Sequence, residues 1–150
     1  MMKRLLTLVS LLLVAVITVT AQPKYIFLFI GDGLGINHVY GTELYNAAVR
    51  PDMPNGGAVS FSRFPIRTYV TNHSSSSLVT DSSAAATALA SGVKTVNGYM
   101  GVDAEKRSVK NMTELVSEIG MKVGVVTNVG MNHATPSAFF AHDKSRSNYL

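Results

Sequence analysis

Ser82 stands directly after an acid, in the run Thr80-Asp81-Ser82-Ser83-Ala84-Ala85-Ala86-Thr87. Ala84, Ala85, Ala86, Ala88, Leu89 and Ala90 favour a helix, and Gly92 sits where a left-handed cap would end it. Ser82 and Ser83 fall in the first turn of that helix. Free backbone N–H groups and the positive dipole end favour an anion there. A hydroxyl in that place has two uses: it attacks a phosphoryl centre, or it caps the helix. The small side chains that follow suit close packing, as of a helix on a sheet.

Three further residues could meet the Ser82 hydroxyl. Asp32 lies in Gly31-Asp32-Gly33-Leu34-Gly35, directly after a buried-strand pattern. It is either a turn-forming acid or a ligand-binding acid beyond a strand's carboxyl end. Thr135 follows a second such pattern, in His133-Ala134-Thr135-Pro136, and Arg146 comes shortly after. A carboxylate and hydroxyls are hard oxygen ligands for a magnesium-type ion, and the carboxylate also suits zinc. A serine hydroxyl is a poor nucleophile at neutral pH, and a bound divalent cation can supply the alkoxide. A guanidinium grips two phosphate oxygens at once. Together these are parts of a metal-assisted phosphoryl-transfer site.

The elements that must bring them together are α/β in character. Residues 25–30 form a continuous apolar run, as expected of a strand buried on both faces of a parallel sheet. A helix is expected over residues 36–49, a loop over 50–57 and a less buried strand over 66–71. The serine-rich run 72–77 reads as a solvated loop that includes His73, and residues 93–103 as irregular. Met112, Leu115, Val116 and Ile119 mark one apolar helix face that stops at Gly120. Residues 121–127 give the next buried strand. Thr135 is placed to cap a helix beginning at Pro136 and continuing to residue 141.

Composition narrows the class. The chain has 150 residues and is 47% hydrophobic, enough for one ordinary domain. Of its 13 basic residues, Lys3 and Arg4 head an apolar N-terminal run, leaving 11 against 9 acidic ones. That near balance gives no electrostatic footprint for nucleic acid. The absence of cysteine excludes a thiol nucleophile, a thiolate metal site and a disulfide framework within the chain. Residues 1–21 read as an export signal, with a charged start, a short apolar core and a small-residue cleavage site at Val19-Thr20-Ala21. The apolar run is short for a permanent membrane anchor. A periplasmic or secreted protein is expected.

Five blocks in order resemble the N-terminal part of an alkaline phosphatase. They are Ile30-Gly31-Asp32-Gly33-Leu34-Gly35; Thr80-Asp81-Ser82; Ser91-Gly92-Val93-Lys94-Thr95 with Asn97-Gly98; Gly101-Val102-Asp103; and His133-Ala134-Thr135-Pro136 through Ala141-His142 to Ser145-Arg146. The resemblance implies a three-layer α/β/α fold with a mostly parallel central sheet, incomplete here. It implies Ser82 as the nucleophile that becomes phosphoserine, Asp32 bridging a zinc and the magnesium, and Thr135 as a magnesium ligand. Arg146 would hold the phosphate and Asp81 would orient Arg146. His133 would act on the magnesium through water, its plain alternative being a loop histidine. Ser83 falls where alanine is usual in that family. Two zinc ions, one magnesium ion, phosphate monoester substrates and a homodimer are further implications.

Most zinc ligands of that family lie beyond the stretch present here, and besides His133 only His38, His73 and His142 supply imidazoles. Residues 22–150 are therefore expected to be the front portion of one catalytic domain, inactive when isolated. A related phosphodiesterase or sulfatase-like hydrolase and a non-catalytic exported phosphate-binding fragment are the alternatives. A dinucleotide-binding domain fits poorly. The spacing is G-x-G-x-G rather than G-x-G-x-x-G, and Asp52 lies in a Pro/Gly loop where a strand end is required.

Overall fold

A computed structural model describes residues 23–148. The export signal expected over residues 1–21 lies outside them. The chain divides into two units, Met1–Gly31 and Asp32–Leu150. Of the first, residues 25–30 carry no regular secondary structure, and their side chains are exposed, Phe29 at 90%.

In the second unit the helices are α1 (Ile36–Val49), α2 (Ser82–Ser91), α3 (Met112–Glu118) and α4 (Ala134–Ser137). Short 3-10 turns cover Pro54–Gly57 and Ser60–Arg63. α1 falls over the range expected from sequence. Glu43 and Asn46 on α1 hold the loop that follows, accepting from Val59 N–H at 3.2 Å and donating to Gly57 O at 3.1 Å.

No strand ladder forms among the described residues; two isolated antiparallel bridges, Met100–Asp143 and Val102–Ser108, are its only fragments. The three runs expected as strands, 25–30, 66–71 and 121–127, have no regular structure, and Val126 is 96% exposed. The reason is physical. A helix satisfies its own backbone, whereas a strand exists only through a partner's N–H and C=O groups. Apolar sequence supplies the preference for a sheet but not the partner.

The core accordingly lies elsewhere. α2 packs through Ala86 and Ala90 on Ala138 and Phe139, the segment leaving α4, with Met112 and Val125 against the edge. The close packing expected of the alanine-rich helix is present, but its partner is helical rather than a sheet. Gly92 ends α2 in the left-handed conformation, as expected, with φ +75°. α4 differs from its expected form. His133, not Thr135, is the N-cap, Thr135 lies within the first turn, and the helix ends at Ser137. Proline is tolerated in that first turn because its missing N–H would have no intrahelical partner.

The run 72–77 is exposed as expected, His73 included, except at Ser74. Ser74 is 5% exposed, and its hydroxyl accepts from Ser77 N–H at 3.0 Å. The loop is strapped down by Lys94, whose ammonium donates to His73 O at 2.6 Å and Thr71 O at 3.2 Å. Asn111 and Asn72 both begin glycosylation-type triplets, but they differ in access. Asn111 is fully buried and its Oδ1 accepts from Thr113 and Glu114 N–H to cap α3, while Asn72 is exposed.

His142 ties three segments together. Its Nδ1 lies 2.6 Å from Gly101 O and its Nε2 lies 3.1 Å from Glu114 Oε1. Both partners are acceptors, so only the doubly protonated ring satisfies both. Burial by itself would lower the His142 pKa, but the Gly101 carbonyl and the Glu114 carboxylate outweigh it and raise the pKa above 6.5. A pKa raised on folding stabilises fully below the unfolded value and is lost as pH rises through the folded one. The thermal midpoint is therefore expected to fall as pH is raised from about 6 upward through the neutral range. His142→Gln should flatten that slope; an unchanged slope in calorimetric scans would remove His142 as its source.

Candidate active site

α2 begins at Ser82 because Asp81 is its N-cap, its Oδ1 accepting from Ala84 N–H at 2.9 Å. The other carboxylate oxygen, Oδ2, accepts from Ser83 Oγ at 2.7 Å, Gly98 N–H at 2.9 Å and Arg146 Nη1 at 3.1 Å. Burial alone would raise the Asp81 pKa. The bonds from Ala84, Ser83, Arg146 and Gly98 outweigh it and hold the carboxyl below the ordinary carboxylate range. Asp81 is thus an anion built into the loop, and Arg146 is positioned by it. Gly98 clamps the pair a second time, since its carbonyl accepts from Arg146 N–H at 2.7 Å.

On the other side of Asp81, the Ser82 hydroxyl points to Asp32, 3.0 Å from Oδ2 and 3.2 Å from Oδ1. Thr135 Oγ1 donates to the same Asp32 Oδ2 at 2.9 Å. Residues 50 and 103 positions away in sequence therefore meet on one carboxylate. The capping role open to Ser82 in sequence is taken by Asp81, so the Ser82 hydroxyl is left to face Asp32. The capping role expected of Thr135 is likewise not used, and its hydroxyl serves the site instead.

Asp32, Ser82, Thr135, Asp81 and Arg146 are thus joined by side-chain bonds into two adjoining clusters, with Ser82 next to Asp81 in the chain. His133 is not bonded to either cluster. Its Nδ1 is buried without a hydrogen-bond partner among the described residues. Such an orphaned nitrogen costs on the order of 1–3 kcal/mol unless something else satisfies it.

One carboxylate and two hydroxyls converging on one point fit part of the oxygen shell of a hard divalent cation. No group of three or more His, Cys, Asp or Glu side chains that could hold a metal occurs among the described residues. The nitrogen-rich set that zinc prefers is therefore not assembled from them.

Three residues hold the site in roles that the sequence does not assign; Ser83 is expected there only as a second first-turn hydroxyl. Ser83 and Gly98 share the Asp81 carboxylate. Asn97 spans the turn before it, its Oδ1 accepting from Asp81 N–H at 3.2 Å and its Nδ2 donating to Val79 O at 3.0 Å. For Asn97 and Gly98 the sequence signal is the Asn-Gly pair, which marks a turn without saying what the turn grips.

Comparison with known proteins places the chain in a family. The family model described as alkaline phosphatase matches residues 23–150. Alkaline phosphatase 4 of Bacillus subtilis is 35% identical over 130 residues, covering 85% of this chain and 28% of that protein. The human tissue-nonspecific alkaline phosphatase is 31% identical over 140 residues, covering 87% of this chain and 27% of that protein. Among solved structures, the cold-active alkaline phosphatase of a psychrophilic Shewanella superposes with a TM-score of 0.73 at 35% identity, over 79% of this chain and 30% of that one. A variant of the TAB5 alkaline phosphatase with magnesium bound superposes with a TM-score of 0.66 at 31% identity, over 83% of this chain and 33% of that one. The chain thus spans somewhat under a third of the length of the curated relatives named here. With the family model running from Pro23 to the last residue and the same fold in the solved relatives, the chain belongs to the alkaline phosphatase family, whose members are phosphatase hydrolases.

Proposed function

We propose that this chain supplies the nucleophile and phosphate-binding half of a metal-dependent phosphate monoester hydrolase. The observation that carries the reading is the shared Asp32 carboxylate, which gathers the Ser82 and Thr135 hydroxyls while Asp81 holds Arg146 beside them.

Ser82 Oγ attacks phosphorus, the ester P–O bond breaks, and the alcohol leaves with a proton from solvent. Asp32 is the acceptor facing the Ser82 proton as the hydroxyl becomes an attacker. Water then cleaves the phosphoserine, returning Ser82 and releasing inorganic phosphate. Arg146 binds the phosphoryl oxygens, and the N–H groups at the start of α2 add to the field that stabilises their charge. Asp81 keeps Arg146 in register and does not itself touch the reacting atoms.

Asp32, Ser82 and Thr135 would hold part of a metal centre, and His133 would take an outer place through water, which would satisfy its orphaned Nδ1. Divalent metal ions bound there, two zinc and one magnesium by family resemblance, would favour the alkoxide form of Ser82 and would offset charge on the transferring group. The same reading takes the domain as three-layer α/β/α with a mostly parallel central sheet, incomplete here, as the family resemblance implies. It also takes residues 1–21 as an export signal, the protein as periplasmic or secreted, and its assembly as a homodimer.

The test is a panel of esters on the full-length protein. Phosphate monoesters should be turned over far faster than phosphate diesters or sulfate esters. Chelation should abolish that turnover, and added zinc with magnesium should restore it. Preference for diesters or sulfate esters would replace the reading with a related hydrolase. Phosphate binding without turnover would leave only a binding protein.

A further inference from the structure

Ser83 is fully buried directly behind the proposed nucleophile, yet its hydroxyl is fully engaged. It donates to Asp81 Oδ2 at 2.7 Å and accepts from Gly98 N–H at 3.1 Å, while Gly98 N–H also reaches Asp81 Oδ2 at 2.9 Å. These three groups close a small ring on the carboxylate oxygen that receives Arg146. A buried hydroxyl that donates and accepts at once is neither a free nucleophile nor a helix cap. The peptide of Ser83 is fixed as well, since its carbonyl accepts from Thr87 Oγ1 at 2.8 Å, and Thr87 Oγ1 in turn accepts from Gly101 N–H at 2.9 Å.

We propose that Ser83 is a positioning residue for phosphate binding: its hydroxyl fixes the Asp81 oxygen on which Arg146 is aimed. The inference rests on the phosphate-binding role given to Arg146 above. Arg146 makes one side-chain bond among the described residues, to that oxygen. Its guanidinium is therefore steered from a single point, and a carboxylate free to rotate would steer it poorly. Without the Ser83 hydroxyl, Oδ2 keeps Gly98 N–H and Arg146, and the ring through Ser83 opens. Charge-assisted bonds of this kind are the stronger sort, and the geometry they enforce is what a bidentate grip on phosphate requires.

The experiment is a double-mutant cycle on the full-length protein, read as inhibition by inorganic phosphate and as KM and kcat for a phosphate monoester. Ser83→Ala should weaken phosphate about three- to tenfold, the value of one hydrogen bond, and raise KM by a similar factor with little change in kcat. Ser83→Cys, which fills the space with a poor donor, should do the same. In an Arg146→Ala background Ser83→Ala should cost nothing further, because the group it steers is gone. Unchanged phosphate affinity in both Ser83 variants overturns the proposal, as does an equal loss with and without Arg146. A fall in Tm with affinity kept in the folded protein overturns it too, by leaving Ser83 a purely structural role. Failure of the unsubstituted protein to hydrolyse monoesters is a different result: it removes the phosphatase reading and this inference with it.

Discussion

Replacing Ser82 with alanine in the full-length protein is expected to lower turnover of phosphate monoesters by roughly 10³-fold or more while leaving the fold intact. The size follows from the step removed. A phosphoserine intermediate needs an oxygen at this position, and alanine leaves direct attack by water as the only route. The fold should tolerate the change because the cap of α2 is Asp81 rather than Ser82, so no helix end is left unsatisfied. The Ser82 hydroxyl bonds only to Asp32 among the described residues, and both groups have access to solvent. Stopped-flow or steady-state assays with a chromogenic monoester would measure the loss, and a trapped phosphoenzyme should vanish with it. Full activity in Ser82→Ala would end the nucleophile assignment.

Gly101→Ala should produce the largest loss of stability, on the order of 3 kcal/mol or more. Two independent causes act together. The backbone there is left-handed, with φ +61°, a conformation an L side chain adopts only with strain. A Cβ would also run into the carbonyl oxygen of Ala141 and come within 2.7 Å of His142 Nδ1. The Ala141 contact is backbone, which cannot swing aside. Relief would require moving the 141–143 segment, and with it the Met100–Asp143 bridge and the His142 bonds to Gly101 O and Glu114. Arg146 follows three residues later, so activity should suffer along with Tm. A nearby control is Gly98→Ala, where no atom lies within 4 Å of the added Cβ and only the positive φ is unfavourable. Equal denaturation midpoints for Gly101→Ala and the unsubstituted protein would show that the 141–143 segment is free to shift.

The two clusters at the site also explain how substitutions should separate. Changes at Ser82, Asp32 or Thr135 act on the reacting oxygens, whereas changes at Ser83 or Gly98 act on where Arg146 points. The first group should appear in kcat and the second in phosphate affinity.

Local features were legible in the amino-acid sequence because their causes are local. The alanine-rich run 84–90 and Gly92 fix where α2 ends, the spacing of Met112, Leu115, Val116 and Ile119 fixes α3, and both helices satisfy their backbones from within. The order of the five matched blocks pointed to the family. Sequence could not say which residue caps each short helix, because Asp81, Ser82, His133 and Thr135 all stand near a helix start. The cap is the one whose side chain or backbone is turned inward by packing, and packing is tertiary. The apolar runs 25–30, 66–71 and 121–127 announced burial in a sheet, but a ladder needs partner strands, and none forms among the described residues. Only the folded chain could bring Asp32 to Ser82 and Thr135, or place Ser83 and Gly98 on the oxygen that holds Arg146. Apart from the local Ser83–Asp81 bond, those contacts span from 17 to 103 positions of sequence, and no short-range preference encodes a meeting of that kind.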